Sequence, residues 1–105
     1  MPRERKGQLA APGFEVRPEE IIRERARLIP PYKVIVHNDD ENEMNYVVFA
    51  LLHAVNTLTT QEAERIMLTA HLTGQAVVVV CPKEVAEYYQ ERLLSYKLTA
   101  TIEPD

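Results

Sequence analysis

Four polar side chains stand in a row at His37-Asn38-Asp39-Asp40, directly after the apolar run Tyr32-Lys33-Val34-Ile35-Val36. Such a row can accept backbone hydrogen bonds in a turn or helix cap, ligate a metal, or receive a phosphoryl group. Turn or cap duty is the default use of Asn and Asp just ahead of a helix. A metal site would join His37 and Asp39 to the distant His71, without the repeated short spacing of strong metal motifs. A phosphoacceptor receiver needs strictly alternating strands and helices and a later strand ending in Asp; here Val77-Val78-Val79-Val80 ends in Cys81. The sole serine, Ser95, lacks a glycine-flanked elbow, and Gly7, Gly13 and Gly74 build no phosphate-cradling loop. No nucleophile, base and orienting group come together, so these residues point to binding rather than catalysis, with no cofactor and no metal.

The elements that hold them follow from periodicity. Tyr32–Val36 reads as a strand. Met44, Val47, Val48, Leu51, Leu52 and Val55 keep helical spacing without a gap. Thr59 and Glu62 form a Thr-x-x-Glu capping box opening a second helix to about Thr73, which Gly74 stops. Gln75–Cys81, with four successive valines, reads as a buried strand. Pro82 suits the first residue of a third helix through about Ser95, with Val85, Ala86, Tyr89 and Leu93 inward. Leu98–Glu103 alternates as a last strand. The predicted fold is α+β: a two-layer sandwich in β-α-α-β-α-β order, with a three-stranded antiparallel sheet backed by three helices.

Residues 31–105 form this folded domain. Residues 1–30 read as a flexible N-terminal extension, broken by Pro2, Pro12, Gly13, Pro18 and Pro30, with one short helix over Glu19–Leu28. A chain of 105 residues and 46% hydrophobic content supports one domain and one modest core. A single cysteine excludes an internal disulfide and, with no signal-like start and no span-length apolar run, points to the cytoplasm and away from the membrane. From residue 31 onward five basic side chains face eleven acidic ones, a balance that repels nucleic acid and suits cationic ligands.

Two separated segments together resemble the ClpS adaptor family. Tyr32-Lys33-Val34-Ile35-Val36-His37-Asn38-Asp39-Asp40, followed by Met44 and Val47, looks like the family's opening. Met67-Leu68-Thr69-Ala70-His71-Leu72-Thr73-Gly74 looks like its Met-Leu-x-x-His-x-x-Gly helix end, and Glu84-Val85-Ala86-Glu87 and Thr101-Ile102-Glu103 also match. The resemblance implies a protein that binds a bulky N-terminal Leu, Phe, Tyr or Trp and delivers its bearer to a AAA+ unfoldase, ClpA or ClpC, working with ClpP. By the same resemblance, Asn38, Asp39 and His71 would contact the α-amino group. Met44, Val47, Met67, Ala70 and Leu98 would line the side-chain pocket, with Asp40 and Asn42 at its rim. Glu84 would face the unfoldase.

That role makes physical sense. A protonated amine wants an anionic partner and several acceptors, which Asp39 and Asn38 supply, while histidine suits a direct or water-mediated link. The chain departs from the family at four places. Asn42-Glu43 replaces the usual Thr-Pro, and Asn42 is expected to cap the helix with Glu43 in its first turn. Ala70 stands where a branched aliphatic is usual, which widens the pocket. Tyr89 replaces a basic residue of some relatives, and the connector at Tyr96-Lys97 is short. Two function classes follow: an adaptor for such N-terminal signals, or a divergent interaction domain of the same fold, ribosomal-stalk-like, that docks without reading N-termini. Only the first has a use for an amine trap.

Overall fold

The computed structural model describes residues 30–105, so the expected helix over Glu19–Leu28 lies outside the described residues. Within them the order is β1 (Tyr32–His37), α1 (Met44–Ala54), α2 (Thr60–Thr73), β2 (Gln75–Cys81), α3 (Lys83–Ser95) and β3 (Thr99–Pro104). The strands form one antiparallel sheet in the order β2-β1-β3, which is the predicted fold. β1 takes the centre because it alone pairs on both sides. Val34 and Val36 from β1, Ala76 and Val78 from β2, and Ala100 from β3 share a core with Leu51, Val55, Ile66 and Leu93 of the helical layer.

Local chemistry sets each helix. Thr59 Oγ1 accepts the Glu62 N–H at 3.1 Å and the Glu62 carboxylate accepts the Thr59 N–H at 2.9 Å, closing the expected capping box. Gly74 ends α2 in the left-handed region with φ 101°. Arg92 of α3 reaches across to the final carbonyls of α1, donating to Ala54 at 3.0 Å and His53 at 2.6 Å. These carbonyls have no partner inside their own helix, so the crossing guanidinium satisfies them.

Four local expectations are corrected. Gln75–Cys81 is an edge strand with one face open, Val77 and Val80 being 46% and 47% exposed. Helices cover the core face only, and a bulge leaves Val78 as an extra residue between Val79, opposite Val34, and Val77, opposite Ile35. Val85 is exposed, because the buried stripe of α3 centres on Ala86 and Leu93. Pro82 is the N-cap of α3 and Lys83 its first residue. Asn42 does not cap α1: the N-cap is Glu43, without a side-chain cap bond, and the Asn42 amide is engaged elsewhere.

Candidate functional site

A cavity of about 630 Å³ opens where the end of β1, the start of α1, the end of α2 and the turn before β3 converge. All ten side chains expected at a ligand line it: Asn38, Asp39, Asp40, Asn42, Met44, Val47, Met67, Ala70, His71 and Leu98. Glu84 lies elsewhere, beside a shallow surface depression with Glu87, Tyr88 and Glu91 on α3.

The β1–α1 loop is shaped by Asp39. Its Oδ1 accepts the backbone N–H groups of Glu41 at 3.1 Å and Asn42 at 3.0 Å, the turn use of aspartate that its position suggests. The Asn42 side-chain amide adds donors to Oδ1 and Oδ2, both at 3.1 Å. Oδ1 thus takes three of the four bonds, and Oδ2 is the oxygen with room for a further donor. Asn38 is held by its main chain, whose N–H donates to the Gly74 carbonyl at 2.9 Å. This bond sews the loop to the end of α2, where His71 occupies the last turn.

The opposite wall is apolar. Ala70 and Leu98 are each 4% exposed, and Val47 and Met67 are half-buried. Met44 is the first residue of α1 and stays 46% exposed at the cavity mouth, the signature of a thioether facing an opening instead of the core. A carboxylate, polar acceptors and aliphatic side chains lining one cavity suit a ligand that carries both a cationic and an apolar group.

Val36, His37, Glu43 and Asn45 also border the cavity and were not anticipated as lining residues. Val36 could have been found from strand alternation running into the loop. The His37 ring is committed to β3, its Nε2 lying 2.8 Å from Thr101 Oγ1. Among the described residues no three His, Cys, Asp or Glu side chains gather as a metal site would require.

Comparison with known proteins agrees with this geometry. Residues 28–101 match the family model described as ATP-dependent Clp protease adaptor protein ClpS. The chain is 48% identical over 77 residues to the ATP-dependent Clp protease adapter protein ClpS of Gloeobacter violaceus, covering 73% of this chain and 83% of that one. It is 44% identical over 81 residues to the protein of the same name from Synechococcus elongatus, covering 77% and 85%. Among solved structures it is similar to Agrobacterium tumefaciens ClpS2 bound to L-phenylalaninamide, with a TM-score of 0.67, 32% identity, and coverage of 72% of this chain and 98% of that one. By the sequence motifs, the fold and these matches together, the chain belongs to the ClpS family.

Proposed function

We propose that the cavity captures the first residue of another protein, with Asp39, Asn38 and His71 meeting its free α-amino group and Met44, Val47, Met67, Ala70 and Leu98 enclosing its side chain. The chain is an adaptor for Clp proteolysis that recognises bulky hydrophobic N-terminal residues. The observation that carries this reading is that a carboxylate, polar acceptors and aliphatic side chains line one cavity. A free N-terminal Leu, Phe, Tyr or Trp presents the matching pair, an ammonium and a large apolar group on one carbon. L-Phenylalaninamide, the ligand of the A. tumefaciens relative, carries the same two features.

The energetics suit pick-up and release. Charge-assisted hydrogen bonds contribute about 1.5–3 kcal/mol each, and enclosing a Leu or Phe side chain about as much again. Less ordering costs, two or three such terms support a Kd around the micromolar range. We assign the unfoldase-facing role to Glu84, exposed on α3 away from the cavity, and the unfoldase to the ClpA or ClpC type acting with ClpP. Residues 1–30 serve delivery rather than binding, and the setting is the cytoplasm. Titration with a fluorescent peptide beginning with Phe, beside its N-acetylated twin, tests the reading: only the free amine should bind with micromolar affinity. Equal binding of the two would leave a docking domain of the same fold.

A further inference from the structure

Asn42 links the Asp39 loop to the turn before β3, two segments that border the cavity. Its side-chain amide donates to both oxygens of Asp39 at 3.1 Å and to the main-chain carbonyl of Lys97 at 3.1 Å. Two N–H groups serve three acceptors, so both donors are spent inside the protein and only the amide oxygen is left for a ligand. The Lys97 end is a demanding one. Among the described residues Lys97 is the only non-glycine with positive φ, at 71°. It occupies the left-handed position of a Schellman end to α3: the Leu98 N–H donates to Leu93 at 3.1 Å and the Lys97 N–H to Leu94 at 2.9 Å. A residue with a Cβ is disfavoured there, so the turn depends on outside support. The next residue is Leu98, buried in the cavity wall.

We infer that Asn42 is a positioning residue that fixes the spacing between the Asp39 carboxylate and the turn carrying Leu98, and so makes the cavity selective for an amine and an apolar side chain borne on the same carbon. The inference deepens the proposed function and rests on it. Asp39 keeps its backbone donors without Asn42, but the plane of its carboxylate and its distance from Leu98 are then no longer set by one rigid group. Pre-organisation of this kind acts on the ligand whose two parts match the spacing, and little on one that does not.

The test titrates the full chain with two peptides: one beginning with Phe, and one beginning with a 3-amino-2-benzylpropanoyl group, in which the amine sits one carbon away from the benzyl-bearing carbon. Wild type should prefer the Phe peptide by about tenfold or more, the equivalent of one charge-assisted hydrogen bond. Asn42→Ala should weaken the Phe peptide by about tenfold and the extended one far less, shrinking the preference by about fivefold or more. Asn42→Thr, which keeps one donor near Asp39 but has no second for Lys97, should shrink it in the same direction and decides the matter if the Ala variant unfolds. An unchanged preference, whether because both peptides weaken equally or because neither does, overturns the inference. If wild type instead binds free and N-acetylated Phe peptides equally, the proposed function has failed and this inference falls with it.

Discussion

The Asn38 N–H donates to the Gly74 carbonyl at 2.9 Å, which ties the end of β1 to the end of α2 just past the His37–Gln75 pair. A Cβ on Gly74 would meet nothing within 4 Å, so its φ of 101° is the only strain a substitution meets. Gly74→Ala should cost about 1 kcal/mol of stability and lower Tm by roughly 4–8 °C. Because the same bond holds the Asn38 main chain to the helix end that carries His71, and both residues line the cavity, affinity for a Phe peptide should fall as well. Thr59→Ala, which opens the capping box at the far end of α2, should cost a similar ~1 kcal/mol yet leave affinity unchanged. Thermal unfolding and titration of both variants check this; equal affinity losses would count against the Asn38–Gly74 link.

Asp39→Asn should abolish micromolar binding while the loop stays folded. The variant keeps an oxygen for the Glu41 and Asn42 N–H groups, loses the bond from the Asn42 amide to Oδ2, and removes the charge that the proposed function sets against the ligand amine. Breaking such a pair costs about 2–5 kcal/mol, and N-acetylation of the peptide should cost wild type comparably. Combining the two should add little, since each removes the same contact. Asp39→Ala is a poorer probe because it also strips the loop of its acceptor. On the ligand side, an α-amine titrates near about pH 8, so binding should decline as pH rises through that value. Isothermal titration across pH would show it, and a flat profile would argue against an amine trap.

Ala70→Val should raise affinity for a Leu-initiated peptide relative to a Trp-initiated one. Ala70 is buried and lines the cavity, and an alanine there should leave space that Trp can fill and Leu cannot. Underfilled pockets lose dispersion contacts outright. One or two methyl groups are worth about 1–3 kcal/mol in such a pocket, so the Leu-to-Trp ratio should move by roughly tenfold. An unmoved ratio removes Ala70 from the side-chain pocket.

A chain lacking residues 1–30 should keep its unfolding midpoint and its affinity for a Phe peptide, because every cavity-lining residue lies beyond Val36 or at it. Degradation of a Phe-initiated reporter by the unfoldase and its peptidase should nevertheless slow sharply. Delivery at the full-length rate would show that the extension has no part in that step.

Much of the fold was legible because its signals are short-range. The helical spacing of Met44, Val47, Leu51 and Val55, the Thr59–Glu62 box and the Gly74 stop each depend on residues within a turn or two of one another. The two cavity motifs were likewise visible as patterns, although their roles came from resemblance and not from spacing. What sequence could not decide were the matters that depend on which distant segments meet. Four valines in a row allow a strand buried on both faces; helices pack on one face of the sheet only, which left Val77 and Val80 outside. Asn42 before a helix suits a cap, yet it turns to a carbonyl at Lys97, far along the chain. The sequence by itself determined the elements and the types of side chain at the loop. The tertiary structure decided which faces of those elements are covered, and brought Asp39 and Leu98 to one cavity. Burial and long-range hydrogen bonds are properties of assembled surfaces, which no single segment carries.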